Sequence, residues 1–383
     1  MYKIDILFLD REFEHDVYEL IKAFYPEAEI HTLYDEAEAG EYDLRFRVER
    51  ENETYKISYD RRENVTAGFT DRKGVASADV IGEDKLTVKD PHALRKENKD
   101  VLKYALYQLL VKLTGRTLPW GNLTGIRPAK LAMGMIESGM KNTEAAREMR
   151  EKYLVSPEKT ALAVTIANRE REILKDIDYE NGYSLYIGIP FCPSICLYCS
   201  FSSYPLKVWE KRTDEYVEAL CKEIRETAFL MQGRKLDTIY IGGGTPTTLL
   251  PHQLRKLLDT LGEAFGYEGL AEFTIEAGRP DSITREKLQA IREYPVTRIS
   301  VNPQTMNQET LDLIGRRHTV EQTREAFYLA RELGYDNINM DLIVGLPGED
   351  ISMVERTLEQ IQELAPDSMT VHSLAVKRAA RLN

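Results

Sequence analysis

The chain has 383 residues, of which 43% are hydrophobic and 30% are charged. This composition is typical of a globular protein and excludes a disordered, collagen-like or membrane-embedded chain. Its 51 Lys and Arg residues against 63 Asp and Glu residues give a formal net charge of -12, which argues against bulk binding to nucleic acid or to anionic membranes. No stretch approaches the roughly 18 uncharged apolar residues of a membrane span, so we expect no membrane span and a cytoplasmic location.

The amino-terminal part of the chain alternates strand-like and helical patterns. Period-two alternation and short apolar runs predict strands, and apolar residues at helical spacing predict helices. The predicted strands are Lys3–Leu9, Tyr42–Glu49 and Thr54–Asp60, and the predicted helices are Glu12–Ala23 and Asp100–Leu113. No catalytic grouping is visible here, and we interpret residues 1–116 as a small α+β accessory domain.

A segment rich in Pro and Gly follows, over residues 118–128. Such a density of Pro and Gly is typical of a connecting loop. Trp120 and Arg127 within it indicate either a packed corner or a ligand contact, and we favour the corner. From Lys130 to about Tyr179 the pattern is helical and heavily charged, and we interpret residues 117–181 as a loop and helical linker.

Short β-rich runs alternate with helical stretches beyond residue 181. The predicted strands are Ser184–Ile189, Thr238–Ile241, Glu272–Ala277, Arg298–Val301, Asn337–Val344 and Met369–Leu374. The predicted helices are Trp209–Met231, His252–Phe265, Ser282–Glu293, Val320–Leu333 and Ser352–Leu364. Thr319 and Gln322 fit a capping box at the start of one of these helices.

This alternation predicts parallel β/α units. Residues 182–383 hold about six such units, which are too few for an eight-unit closed barrel. We therefore predict an α/β fold with an open six-unit (β/α)6 partial TIM barrel. The alternative is a doubly wound sheet, and in both folds ligands bind at the carboxyl ends of the strands.

Three of the four cysteines lie within eight residues, in a C-x3-C-x2-C pattern after the first of these strands: Cys192, Cys196 and Cys199. Cysteine thiolates hold iron–sulfur clusters, and three of them leave one iron of a 4Fe–4S cube open to another ligand. A structural zinc would need a fourth ligand, usually from a second Cys or His pair. No such pair is visible, and we interpret Cys221 as a buried core residue.

Polar groups recur where successive predicted strands end. The segment Gly242–Thr247 follows the second strand and offers close backbone approach without side-chain bulk. Glu276, Gln304 and Asp341 end the next three strands, and Arg316 follows Gln304. A single Glu or Arg is more often a solvated surface group, but the carboxyl ends of barrel strands are where active sites lie.

The order of these motifs resembles the radical S-adenosylmethionine (SAM) superfamily, beginning with the three cysteines and Tyr198 before the last of them. It is further similar to the oxygen-independent coproporphyrinogen III oxidase group through these residues: Tyr186…Pro190-Phe-Cys, Gly242-Gly-Gly-Thr-Pro-Thr247, Glu276, Gln304, Arg316 and Asp341-Leu-Ile-Val-Gly-Leu-Pro347. The segments 119–128 and 370–381 resemble its HemZ-type coproporphyrinogen dehydrogenase branch. The superfamily resemblance covers about the carboxyl-terminal half, and the branch resemblance extends through the amino-terminal domain.

The resemblance implies a 4Fe–4S cluster on Cys192, Cys196 and Cys199, with SAM on the open iron. The methionyl and amino end of SAM would lie against Gly243, Gly244 and Thr245. Its carboxylate and ribose would be fixed by Glu276, Gln304, Arg316 and Asp341. Tyr186 would pack near the cluster in the catalytic site. A flavodoxin or ferredoxin would supply the electron that cleaves SAM to methionine and a 5′-deoxyadenosyl radical.

The implied reaction is the oxidative decarboxylation of two propionates of coproporphyrinogen III to vinyl groups, giving protoporphyrinogen IX in haem biosynthesis. Two alternatives stay open, a haem-binding chaperone with a radical SAM fold and a haem-degrading radical SAM methyltransferase. The oxidases carry an additional cysteine where this chain has Phe201, and the alternatives share its absence. We also expect the chain to be truncated at its carboxyl-terminal end relative to the family.

A tetrapyrrole, either coproporphyrinogen III or haem, carries propionates that need cationic partners. Because the net charge is -12, a local basic cluster must supply them. The candidates that follow strand ends or the cysteine motif are Arg279, Arg317, Lys207 and Arg212.

Overall fold

The computed structural model describes residues 2–38, 40–62, 73–79, 91–125, 127–377 and 380–382. It divides into two compact units, Met1–Lys175 and Asp176–Asn383. Most of the segment predicted as a linker therefore lies in the first unit. Ile126 and residues 378–379, which belong to the two branch-specific segments, lie outside the described residues.

The first unit contains a five-stranded mixed sheet with the strand order β2-β1-β3-β4-β5. The strands are β1 (Lys3–Phe8), β2 (Glu29–Leu33), β3 (Leu44–Glu51), β4 (Thr54–Arg61) and β5 (Lys73–Asp79). Two helices, α1 (Glu14–Phe24) and α2 (Pro91–Thr114), contribute to the same apolar core. The predicted strands and helices of this part are confirmed. The sequence pattern missed β2 and β5, in which every residue is at least partly exposed. In β5 the less exposed positions are Gly74, Ala76 and Ala78, whose small side chains give little hydrophobic alternation.

Three further helices of the first unit share a small apolar core of their own: α3 (Pro128–Glu137), α4 (Asn142–Glu151) and α5 (Pro157–Ile173). Ala132, Ala145 and Ala163 are fully buried in it, so small side chains let these helices approach closely. Trp120 packs against this core, and the Lys159 ammonium lies over its ring, 5.3 Å from the ring centroid. These contacts support the packed-corner interpretation of Trp120.

The second unit is built on a six-stranded parallel sheet with the order β13-β12-β11-β10-β9-β6. Its strands are β6 (Gly182–Ile189), β9 (Lys235–Gly243), β10 (Glu272–Gly278), β11 (Arg298–Val301), β12 (Ile338–Val344) and β13 (Ser368–Ser373), and a short pair, β7 (Phe191–Cys192) and β8 (Tyr204–Pro205), lies beside it. Its helices are α6 (Leu206–Trp209), α7 (Thr213–Leu230), α8 (Pro251–Phe265), α9 (Arg285–Arg292), α10 (Gln308–Leu313), α11 (Val320–Glu332) and α12 (Ile351–Leu364). All six predicted strands and all five predicted helical regions are present.

The strand order follows the chain order from β6 to β13 without a reversal. A doubly wound sheet requires such a reversal, so that alternative is wrong and the open six-strand partial barrel is confirmed. Because every neighbouring pair is parallel, all six carboxyl ends meet at one edge of the sheet. That edge is where the predicted functional residues lie.

Local sequence signals set several of the helix starts. Thr319 accepts a hydrogen bond from the backbone N–H of Gln322 at 3.1 Å, and the Gln322 side chain accepts one from the Thr319 N–H at 2.9 Å. This is the predicted capping box of α11. Helix α10 has only six residues, too few for its periodicity to be recognised in the sequence. None of the helices in the described ranges is long and apolar enough to cross a membrane.

Candidate functional site

The cysteine loop, residues 190–203, leaves the carboxyl end of β6 and contains Cys192, Cys196 and Cys199. Cys196 is buried, Cys192 and Cys199 are partly exposed, and all three are free thiols. The fourth cysteine, Cys221, lies fully buried in the core on α7, as predicted. Burial raises the pKa of the Cys192 thiol, and a hydrogen bond from Thr245 opposes this increase.

Contacts from other loops hold the cysteine loop in place. The Leu197 N–H donates to the carbonyl of Ile314 at 2.9 Å, and the Leu197 carbonyl accepts from the Leu382 N–H at 3.0 Å. The Arg381 guanidinium donates to the carbonyl of Ile195. The loop conformation is therefore fixed by the protein itself.

The three thiols suit a cluster better than a single metal ion. Within the described ranges, no three His, Cys, Asp or Glu side chains are grouped so that they could hold one ion, as a structural zinc would require. In a 4Fe–4S cube each cysteine binds a different iron, so the thiols need only surround the cube. The donor set is all sulfur, which is the ligand set of such clusters.

The glycine-rich segment after β9 lies directly against the cysteine loop. The Gly244 N–H donates to the carbonyl of Ile189 at 2.7 Å, and Gly243 has a φ of 106°. A Cβ atom on Gly244 would lie 2.6 Å from the carbonyl oxygen of Phe191 and 3.0 Å from Cys192 Sγ. The Thr245 hydroxyl donates to Cys192 Sγ at 3.7 Å. Only glycine permits the two backbones to come this close. We call the segment Gly243–Thr245, which lies against Cys192, the glycine cradle.

An aromatic pair and a carboxylate form the next part of the site. Tyr186 stacks on Tyr240 with ring centroids 5.8 Å apart, and the Tyr240 hydroxyl donates to Glu276 Oε1 at 2.5 Å. Burial raises the pKa of Glu276, the hydrogen bond from Tyr240 lowers it, and the nearby Asp341 raises it further. Sequence reasoning missed Tyr240, because its place opposite Tyr186 follows from the strand register.

Several buried polar atoms in β11 and in the loops that follow β11 and α10 have no hydrogen-bond partner among the described residues. They are Ser300 Oγ, Asn302 Oδ1, Gln304 Oε1 and Arg316 Nε. Gln304 adopts a left-handed conformation with a φ of 70°, which is uncommon for a residue with a side chain. Unpartnered buried polar groups are costly, and strained residues concentrate at ligand sites. Both observations indicate that these atoms face a polar ligand.

Backbone and side-chain contacts connect Gln304, Asp341 and Arg316 to the rest of the site. The Gln304 N–H donates to the carbonyl of Asp341 at 2.9 Å, and Asn339 donates to Asp341 Oδ1 at 2.7 Å. Arg316 is buried, donates to the carbonyl of Asn302, and interacts with Cys196 in the cysteine loop. The structure thus brings the predicted residues of four strand ends together with the cysteines.

This arrangement fits the cluster and SAM that the resemblance implies. Three free thiols can receive iron, the glycine segment brings the backbone close to Cys192, and the unpartnered Gln304 Oε1 and Arg316 Nε can bind polar groups of a ligand. Glu276 and Asp341 offer acceptors for hydroxyl groups.

The predicted basic cluster needs correction. Arg279 is only 3% exposed and donates to Asp281 and to Ser194 within the second unit, so it is not available to a substrate. Arg212 pairs with Glu215 at 2.9 Å on the surface. Arg317 and Lys207 are exposed, and the two of them stay candidates.

His318, two residues after Arg316, is fully buried. Neither of its ring nitrogens has a hydrogen-bond partner in the part of the chain that the structure describes. Burial lowers its pKa to about 3, and the positive charges of Arg316 and Arg279 contribute, while Asp281 opposes them. His318 is therefore neutral at physiological pH.

Comparison with known proteins identifies several relatives. A profile of the radical SAM superfamily matches residues 186–361. The chain is 40% identical over 291 residues to the oxygen-independent coproporphyrinogen-III oxidase-like protein HemZ of Bacillus subtilis, covering 75% of this chain and 58% of the relative. It is 39% identical over 195 residues to the heme chaperone HemW of Bacillus subtilis, covering 51% of each.

A solved structure is also similar. The coproporphyrinogen III oxidase HemN of Escherichia coli shares 32% sequence identity and a TM-score of 0.48, covering 55% of this chain and 51% of that one. The chain thus spans between 51% and 58% of the length of these three relatives.

His318 should make stability depend on pH. Because its folded-state pKa of about 3 lies below the ordinary value of 6.5, the unfolded chain binds a proton between these values that the folded chain does not. The free energy of unfolding should therefore fall as the pH drops below about 6.5, by up to about 1.4 kcal/mol per pH unit from this group.

Denaturant titrations from pH 7 to pH 4 measure this dependence. His318→Leu should reduce the slope, whereas the same change at the exposed His372 should leave it unaltered. Equal slopes for wild type and His318→Leu would contradict the buried neutral imidazole.

Gly244→Ala should destabilise the second unit, because the new Cβ overlaps the Phe191 carbonyl and crowds Cys192. Overpacking of this kind costs about 1–3 kcal/mol, measurable by chemical denaturation. Gly188→Ala is the matched control, since a Cβ there would meet only the Tyr186 ring, at 3.6 Å. Equal stability of the two variants would show that the glycine segment does not lie against the cysteine loop.

Proposed function

The chain carries a radical SAM domain over residues 186–361, and we propose that this domain oxidatively decarboxylates propionate groups of coproporphyrinogen III. The radical SAM family uses a 4Fe–4S cluster and SAM. The observation that carries the proposal is the contact of the cysteine loop with Gly244 and with the Ile314–Gly315 backbone, beside unpartnered buried polar groups such as Arg316 Nε. Cluster ligands and SAM-binding groups would thus lie at one edge of one sheet.

In this proposal Cys192, Cys196 and Cys199 hold the cluster. When bound, the reduced cluster and SAM together supply the one-electron chemistry that starts hydrogen-atom removal from the substrate. The chain's own task is to orient the reactants and to exclude water from them.

Each remaining site residue has a proposed binding role. The backbone of Gly243, Gly244 and Thr245 lines the amino end of SAM. The buried Arg316 guanidinium suits its carboxylate, since charge-assisted hydrogen bonds to carboxylates are strong. Its ribose hydroxyls are bound by Glu276, Gln304 and Asp341.

Tyr186 has a separate role, because the residue is 62% exposed while one face of its ring stacks on Tyr240. We assign it to the catalytic site as a surface against which the bound reactants pack.

Exposed apolar side chains support a tetrapyrrole as the ligand. Phe201, Tyr204 and Val208 are all exposed, Phe201 by 76%, and they lie in the cysteine loop or directly after it. Haem is a flat aromatic macrocycle that packs well on such side chains, and the separate pyrrole rings of the non-planar coproporphyrinogen III are apolar surfaces of the same kind. Arg317 and Lys207 are the proposed partners of the propionates, and a flavodoxin or ferredoxin is the proposed electron donor.

A second candidate function is haem carriage without turnover. It is favoured by the 39% identity to a heme chaperone and by Phe201 in place of the additional cysteine of the oxidases. The same exposed apolar surface would then hold haem. The two functions differ in whether the tetrapyrrole changes chemically.

The cluster assignment predicts that anaerobically reconstituted protein is brown and holds about four irons per chain. Changing any of Cys192, Cys196 and Cys199 to Ala should abolish the cluster, because each thiolate binds one iron. Iron analysis and visible absorbance measure this loss. Cys221→Ala is the matched control and should retain the cluster; loss of iron in this variant alone would contradict the assignment.

The proposed reaction predicts a product of lower mass when the loaded protein is incubated anaerobically with SAM, a reductant and coproporphyrinogen III. Each propionate would lose carbon dioxide, two electrons and a proton to become a vinyl group. The SAM supplied in the assay would be the oxidant, because its conversion to methionine and 5′-deoxyadenosine takes up two electrons and a proton. Mass spectrometry detects the change in mass of the tetrapyrrole. Haem binding without any product would instead support carriage. If neither tetrapyrrole binds nor alters the cluster's paramagnetic resonance signal, both candidates fail.

A further inference from the structure

We propose that Arg279 is a positioning residue that holds the cysteine loop in its cluster-binding conformation by way of Ser194. The inference goes beyond the proposed reaction but rests on the cluster site within it. Arg279 lies directly after β10 and is 3% exposed. Its Nε and Nη2 atoms donate to Asp281 Oδ1 and Oδ2 at 2.9 and 2.7 Å.

The other side of the same guanidinium reaches the cysteine loop. Arg279 Nη1 donates to the carbonyl oxygen of Ser194 at 2.8 Å and to Ser194 Oγ at 2.7 Å. Ser194 Oγ in turn donates to the carbonyl of Gly315 at 3.1 Å. Ser194 is the middle residue of the three that separate Cys192 from Cys196. The span between two cysteines is thus tied to the loops that follow β10 and α10.

The geometry calls for arginine in particular. One planar group makes four hydrogen bonds to two residues on opposite sides, which the single ammonium of lysine cannot reproduce. Pro280 begins a short 3₁₀ turn that contains Asp281, and this turn fixes the position of the Asp281 carboxylate relative to Arg279. The Arg279 and Asp281 side chains form a bidentate pair of the kind that adds geometric specificity as well as energy.

The Arg279–Asp281 pair is poorly explained by stability alone. The Arg279 side chain is buried, and that of Asp281 is 19% exposed. Withdrawing a charge from water costs free energy that the pairing often only offsets. What the pair does provide is a fixed donor aimed at the cysteine loop. A loop already ordered loses less conformational entropy when the cluster binds.

The same loop segment also contacts the glycine cradle. A Cβ on Gly278, next to Arg279, would lie 3.2 Å from Thr245 Cγ2, and Thr245 donates to Cys192 Sγ. Arg279 and Thr245 thus act on the two ends of the span from Cys192 to Ser194. The contacts resemble the outer-shell interactions that orient metal ligands.

The test is the rate at which a chelator removes iron from the reconstituted protein. Loss of an outer-shell partner typically weakens metal binding about 10- to 100-fold, so Arg279→Ala should lose iron faster by about that factor. Ser194→Ala, which removes only the hydroxyl contacts, should show a smaller increase. Adding guanidinium ion at non-denaturing concentration should slow the loss in Arg279→Ala, because it restores the missing donors.

Arg285→Ala serves as the matched control, since Arg285 pairs with Glu332 on the surface of the same unit; it should lose iron at the wild-type rate. Circular dichroism and melting temperature establish that each variant is folded. If Arg279→Ala does not fold, Ser194→Ala decides the question, because its side chain lies in a loop.

Wild-type rates in the folded variants would overturn the role of Arg279 while leaving the cluster assignment intact. A wild-type protein that takes up no cluster would overturn the proposed function and this inference with it. Rescue by guanidinium would distinguish positioning from a general loss of stability.

Discussion

The site depends on how closely the backbone after β9 approaches the backbone after β6. These two strands pair in parallel up to Ile189 and Gly243. Both therefore leave the sheet at the same level along the strand direction. The Gly244 N–H then bonds to Ile189, in a space that no side chain could share. The cysteine loop consequently lies beside Thr245 instead of projecting away from the sheet. The contacts that Arg279 makes with Ser194 and that the Leu197 N–H makes with Ile314 are made to a loop in this position.

Two buried arginines lie next to the cysteine loop, Arg279 in the loop after β10 and Arg316 in the loop after α10. Arg316 interacts with Cys196, and Arg279 donates to Ser194. Thiolates that bind iron carry negative charge, and buried charge is costly unless it is compensated. The two guanidinium groups therefore give the loop a positive environment inside a chain whose net charge is -12. Net charge alone does not describe such a site, because the local arrangement of a few buried groups determines its potential.

The sequence predicts the barrel well because strand and helix periods differ and the units are regular. The six strands of the second unit and the cysteine motif follow from alternation and spacing alone. Contacts across the sheet are different. The Tyr240–Glu276 hydrogen bond requires the strand register, and the burial of Arg279 requires knowing that Ser194 packs against it. From the sequence alone, the position of Arg279 after a strand end indicates a substrate partner. The same position is equally suited to holding a neighbouring loop in place.

The burial of Arg279 changes how a carboxylate-bearing substrate must be recognised. Arg279 is enclosed and bonded to Asp281, and the buried Arg316 is the proposed partner of the SAM carboxylate. Cations for propionate groups therefore have to come from the rim, where Arg317 and Lys207 are exposed. Exposed cations bind weakly in water, and most of the binding free energy for a macrocycle would then come from the apolar side chains around Phe201. Recognition of this kind depends on the shape and apolar area of the ring more than on its carboxylates. It therefore suits coproporphyrinogen III and haem alike, and what separates catalysis from carriage is how the ring is oriented relative to the cysteine loop.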